Sequence, residues 1–352
     1  MKDHQSLQKM VEAMVDHKSI YSAMLKVESG SGDFSWKGAA GEAGAEDKYF
    51  IASVTKLFMT AVVMKLVEEE KLSLDDRIEK HLPKGYCDGL HTLKGKDYSK
   101  EIVVRHLISN TSGIPDYFFH KQKDGRTVAD ELMEGKDEEW PIEKTLGLIK
   151  QLRPNFKPGA RGKASYSDSN YQLLGKLLEN IAQMPISGIF QKHVFEELGL
   201  KNTYVYTDPE DSEPLPFYYG SKKLWLPRYM TSIAPEGGIV STLDEMMVFL
   251  KAFFAGHFFP KEKIESLKQW NMIWPPPGLF KYGIGLENLW IPWILSPIKH
   301  PGEILGFWGQ TASFAFYNPK SDLYFCGTAN QVNGKGHRAA TTAMIKTIKS
   351  AL

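Results

Sequence analysis

The chain has 352 residues, 43 basic against 42 acidic, a formal net charge of +1 and 42% apolar side chains. That is room for one large domain or two modest ones, and it offers no electrostatic ground for nucleic acid or an anionic membrane as partner. Two cysteines, Cys87 and Cys326, are too few for a disulfide framework and read as separate buried thiols, while the lack of HExxH, CxxC, GxGxxG and a P-loop leaves no metal or cofactor expected.

Leu7, Met10, Val11, Met14 and Val15 recur at helical spacing, so the chain opens on an amphipathic helix. Residues 20–28 and 34–40, separated by Ser29-Gly30-Ser31-Gly32-Asp33, predict a hairpin. Residues 1–18 hold charges and no apolar core, so they carry no secretory pattern. No apolar run is long enough for a membrane span. As written the chain is expected in the cytoplasm, or outside the cell or in its envelope if a leader has been removed.

A long apolar helix is predicted from about Ser53 to Lys71, and Ser73-Leu74-Asp75-Asp76 caps a short segment after it. Helical patterns follow at 102–109, 171–182, 242–254 and 261–270. The charge-rich stretch 121–144 reads as a solvated loop, and the Pro- and aromatic-rich stretch 208–235 as a functional or mobile one. Trp274-Pro275-Pro276-Pro277-Gly278 is punctuation. Strands are expected at 282–289, 298–302, 310–317 and 323–329, and a helix over 338–352 closes the chain. The composite is α+β, an α/β sandwich. Residues 1–50 and 276–352 form an antiparallel sheet flanked by the terminal helices, residues 51–275 a mostly helical second domain, and a site lies at their interface.

Ser-x-x-Lys occurs three times, as Ser6/Lys9, Ser53/Lys56 and Ser296/Lys299. Ser6 lies on a helix whose polar face faces water, and Ser296 precedes Pro297, which disfavours a helix. Only Ser53 begins a helix apolar around most of its circumference (Val54, Leu57, Phe58, Ala61, Val62, Leu66). Three residues are just under one turn, so both side chains share a face. A serine hydroxyl needs an adjacent base, and a lysine buried among apolar groups loses its preference for the charged form.

Two further stretches could complete a site: Tyr166-Ser-Asp168-Ser-Asn170 before a helix, and His300-Pro301-Gly302-Glu303 on an expected strand. Ser53-x-x-Lys56, Tyr166-x-Asp168 and His300-x-Gly302 stand in the order of three motifs of the penicillin-recognising serine hydrolases. That family includes class C β-lactamases, DD-carboxypeptidases and related esterases. His106-Leu-Ile-Ser-Asn110-Thr-Ser-Gly113-Ile-Pro115 and Gly237-Gly238-Ile-Val-Ser-Thr242 also resemble family landmarks. The resemblance covers roughly 50–330 and implies a β-lactamase/transpeptidase-like fold.

It also implies Ser53 as nucleophile, Lys56 as its base and Tyr166 as proton shuttle. The oxyanion hole would be the N–H groups of Ser53 and Glu303, and Asp168, Asn170, His300 and Gly302 would line the substrate site. Two departures bear on the substrate. Asp168 stands where the family has an amide-donating asparagine, so Lys56 pairs with it or Asn170 supplies the amide. Pro301 lacks the hydroxyl that grips a carboxylate, and Glu303 adds a negative charge. The expected activity is hydrolysis of an amide, peptide (D-Ala carboxypeptidase-like) or ester bond in a small molecule or short peptide. The alternatives are a carboxylesterase without peptidase activity and a slowly acylating binding protein. Trp290 and Trp293 read as an apolar rim, and the apolar segment 289–298 as an oligomer contact.

Overall fold

The long runs of aromatic and β-branched residues at the two ends of the chain build a single eight-stranded antiparallel sheet. In the computed structural model, which describes residues 4–273, 280–296 and 298–352, the strands are β1 (Ser22–Ser29), β2 (Ser35–Gly41), β3 (Asn271–Met272), β4 (Phe280–Tyr282), β5 (Glu287–Leu289), β6 (Leu305–Trp308), β7 (Ser313–Asn318) and β8 (Leu323–Thr328). Their spatial order is β3-β4-β5-β6-β7-β8-β1-β2. Leu25 lies opposite Gly327, Val27 opposite Trp36 and Gly306 opposite Phe316. The punctuation at 274–278 and Pro297 lie outside the described residues.

Alternation along the strands sends Leu25, Val27, Phe314, Phe316 and Phe325 to one face, where Leu7 and Val11 of α1 (His4–Glu12) and Met344 and Ile348 of α5 (Lys335–Ala351) cover them. Met24, Ala315, Tyr324 and Cys326 point the other way, toward α4 (Leu243–Ala255). Both faces are therefore dry, and β8 is buried at every residue. Cys87 and Cys326 are free buried thiols.

On the α4 side the core continues into α2 (Thr55–Glu68) and α3 (Asp168–Ala182). Burial of each of Leu57, Phe58 and Val62 contributes roughly 1.5–3 kcal/mol. That helps offset the cost of keeping Lys56, on the same helix, at 0% exposure. No helix among the described residues is long and apolar enough to cross a membrane.

Two expectations are corrected. Residues 298–302 form no strand: Lys299 and Gly302 take positive φ (52° and 75°), and Pro301 has no N–H to give a ladder. The stretch 121–144 is not wholly solvated. Thr127 caps a short helix, Val128–Met133, and Val128 and Leu132 join the core. Of the apolar segment 289–298, Trp293, Ile294 and Ile298 are largely exposed.

Candidate active site

Ser53 sits at a forced bend. Tyr49 and Phe50 pair with Ser241 and Val240, and Ile51 N–H donates to Ile239 O. Ala52 then adopts φ +46°, a left-handed conformation costing a residue with a Cβ roughly 1–2 kcal/mol. The turn from Ala52 to Val54 leads directly into α2. The hairpin beyond β6 pins this bend: Ser313 Oγ donates to Ile51 O (2.6 Å) and Thr311 Oγ1 to Phe50 O (3.3 Å).

Lys56 Nζ lies 2.8 Å from Ser53 Oγ and 2.8 Å from Glu236 O. Asp168 Oδ1 is 2.7 Å from the same nitrogen, an ion pair not aligned as a hydrogen bond. Burial of the lysine is thus accompanied by a counter-charge, as the aspartate in place of asparagine suggests. Tyr166 Oη donates to Ser53 Oγ at 2.9 Å from the other side. Burial, and next to it the Asp168 charge, push the Tyr166 phenol well above its ordinary value, so it remains a proton donor.

The Tyr166 loop is carried by the His106–Pro115 segment. Asn110, at φ +57°, accepts from Ser167 N–H (3.1 Å) and from Asn170 Nδ2 (2.8 Å). Asp116 Oδ1 accepts from Asp168 N–H at 2.9 Å. Asn170 is corrected by the same contacts. It is fully buried, its Oδ1 accepts from Ser112 Oγ (2.7 Å), and nothing of it reaches the cavity. Two residues beyond Asp168 on α3 is about 200° around the helix, so the two cannot face one site.

The second correction concerns the rear strand. His300 Nε2 pairs with Ile291 O (2.8 Å) and its Nδ1 accepts from Gly302 N–H (3.0 Å), closing a local turn. Glu303 pairs with Lys268 at 2.6 Å. None of His300, Gly302 and Glu303 lines the cavity at Ser53. Glu303 precedes Trp308 by five residues, about 16 Å along a strand. What borders Ser53 instead is the end of β6 and the turn after it, Trp308-Gly309-Gln310-Thr311. Among the described residues the N–H groups of Ser53, Gln310 and Thr311 donate to no protein acceptor.

Gly309 is required there. A Cβ on it would lie 2.1 Å from Ser313 Oγ, 2.6 Å from Ile51 O and 3.0 Å from Ala52 Cβ. Gly309→Ala is expected to push the turn away from Ser53 and to cost about 1–3 kcal/mol in chemical unfolding.

A cavity of about 400 Å³ opens beside Ser53, walled by Phe118, Leu132, Phe217, Met230 and Trp308 among others. Phe217 and Met230 come from the 208–235 stretch, which supplies part of the cavity wall. Trp290 and Trp293 are not part of it. Three residues not singled out in the sequence reach it or its edge: Glu236, Glu287 and His337. Their visible signals were weak, a Glu-Gly-Gly turn and glycines flanking short apolar runs.

The site concentrates buried carboxyls. Burial, and then Asp168, raise Asp116 to about 7. Burial raises Glu287 to about 8 and carries Glu236 well above its ordinary range. A carboxyl whose folded value is raised binds more protons folded than unfolded between the two values. Its contribution to stability is therefore present at low pH and lost as pH rises through that window. Melting temperature is expected to fall from about pH 5 to about pH 8, which a calorimetric pH series would check.

The Beta-lactamase family model matches residues 8–348. A protein of Salmonella typhi named "Putative D-alanyl-D-alanine carboxypeptidase" is 31% identical over 157 residues, 44% of this chain. The match spans only 33% of that relative's own length. Among solved structures, a D-stereospecific amidohydrolase from Streptomyces sp. superposes with TM-score 0.79 at 22% identity, covering 97% of this chain and 98% of that one. EstCE1, a hydrolase with promiscuous acyltransferase activity, gives 0.78 at 20% identity, covering 99% and 98%. The D-amino acid amidase of Ochrobactrum anthropi SV3 gives 0.75 at 18%, covering 98% and 99%. These likenesses establish a shared α+β fold.

Proposed function

The chain belongs to the Beta-lactamase family, and we propose that it is a serine hydrolase that cleaves an ester or amide bond through an acyl-enzyme on Ser53. The observation that carries this is the placement of Ser53 Oγ between Lys56 Nζ (2.8 Å) and Tyr166 Oη (2.9 Å) at the wall of an apolar cavity. Ser53 Oγ adds to the scissile carbonyl as its proton passes to Lys56 in its amine form. The oxygen that becomes negative is received by the Ser53 N–H and the free N–H groups after Gly309. The carbonyl–heteroatom bond then breaks, Tyr166 gives its proton to the departing group, and Lys56 restores it. Water adds to the acyl carbon by the same path in reverse and frees Ser53.

The walls favour a substrate with an apolar group beside its carbonyl. Among the described residues they carry no lysine or arginine to pair with a free carboxylate. This argues for esters and amides over the D-alanyl peptides in the relatives' name. A fluorophosphonate probe is expected to add once to the wild-type chain at Ser53 and not to Ser53→Ala, with short-chain p-nitrophenyl esters turned over by the former only. An unmodified intact mass after prolonged exposure of folded wild type would sink the proposal.

A further inference from the structure

We propose that the cavity beside Ser53 receives a positively charged amino group of the substrate on Glu287, so that the bonds cleaved belong to amino-acid esters, amino-acid amides or peptides with an unblocked amine near the scissile carbonyl. The inference rests on the hydrolase assignment and names its substrate class.

Glu287 opens β5 and lines the cavity while its side chain is more than nine-tenths buried. Its Oε2 accepts from Trp308 N–H at 2.9 Å, beyond the point where the β5–β6 ladder ends. Among the described residues Oε1 takes no hydrogen bond and is not sealed off, so it is presented to the cavity. Holding one backbone N–H needs only a neutral oxygen, which glutamine supplies as well. A carboxyl at this depth is therefore unexplained by strand pairing alone.

Carboxyl groups outnumber basic side chains around it among the described residues. Asp116, Asp168, Glu236 and Glu287 are all wholly or largely buried about the site, and Glu236 Oε2 has no partner. Among the described residues Lys56 is the one cation that acts on Glu287, and it is already held by Ser53, Asp168 and the Glu236 carbonyl. An entering ammonium meets carboxyl oxygens that can take its charge, and an entering carboxylate meets groups that ionise with its own sign. Glu287, at about 8, holds its own proton at neutral pH, and an entering ammonium displaces that proton to water. A metal ion fits less well. No group of three side chains able to ligate one occurs among the described residues, and the walls are those that suit an organic ammonium with an apolar substituent.

The test compares phenylalanine methyl ester, as both enantiomers, with 3-phenylpropionate methyl ester, which differs only in lacking the amine. Wild type is expected to favour one amino ester by at least about tenfold in kcat/KM, the worth of one charge-assisted hydrogen bond. Glu287→Gln, which keeps the oxygen for Trp308 N–H, is expected to lower that ratio at least about fivefold. Equal rates for the pair in wild type, or an unchanged ratio in Glu287→Gln, overturn the inference. Should the variant fail to fold, wild type decides alone: 2-phenylethylamine is expected to compete with the neutral ester and 3-phenylpropionate not to, and the reverse order overturns it. Hydrolysis of the neutral ester with a Ser53 adduct but no amine preference rejects Glu287's role alone. No turnover and no adduct rejects the hydrolase assignment itself.

Discussion

Lys56→Met is expected to lower ester turnover by at least about 10³-fold and to destabilise the fold by about 3 kcal/mol. The first effect follows from removing a nitrogen 2.8 Å from Ser53 Oγ. The second follows from leaving Asp168 without the cation 2.7 Å away, in an interior that already holds Asp116 and Glu236. Breaking one side of a buried pair costs more than removing both, because the survivor keeps its charge and loses its partner. Adding Asp168→Asn to Lys56→Met should therefore recover part of the melting temperature and none of the activity. A double-mutant cycle read by calorimetry and by ester hydrolysis separates the two. Recovery of activity in the double variant would mean that Lys56 serves only to neutralise Asp168.

Ser53 and Lys56 were legible as a pair because their relation is local: a three-residue helical spacing and a buried helix put the lysine against the serine. Tyr166, 113 residues from Ser53, was reached only through the order of the motifs, and in the structure Asn110 and Asp116 hold its loop through short polar contacts. That the two chain ends share one antiparallel sheet with the terminal helices on one face was legible from the strand patterns, whereas the order of the eight strands is set by their pairing.

His300-Pro301-Gly302 misled for a physical reason. Three letters in the right order say nothing about strand register, and register here is set by the turn at 309–312 between β6 and β7. That turn brings Trp308 and Gly309 to Ser53 and leaves His300 beyond the other end of β6. The buried acids were not legible either. Glu287 and Glu236 sit in short segments with no periodicity, and an acidic side chain in such a segment ordinarily faces water. Only the packed structure turns Glu287 inward, where it takes a backbone N–H that no neighbouring strand reaches.

Tyr166→Phe isolates the proton step. The phenylalanine ring keeps the edge contact to Tyr282 (6.2 Å between centroids) and the face toward Lys56 Nζ (5.2 Å), so stability should change by no more than about 1 kcal/mol. What disappears is the hydroxyl 2.9 Å from Ser53 Oγ. General-acid assistance is worth about 10²–10⁴ in rate, and it matters only where the departing group needs a proton. A p-nitrophenolate leaves unaided, whereas an amine or a simple alkoxide does not. Tyr166→Phe is accordingly expected to cut hydrolysis of an amide or a methyl ester about 10³-fold, and of the corresponding p-nitrophenyl ester about tenfold or less. An equal loss on both substrates would place Tyr166 on the nucleophile's side of the reaction, helping Lys56 to free Ser53. The leaving-group dependence of kcat/KM, measured across a series of esters of one acid, therefore assigns the tyrosine's proton to one bond or the other.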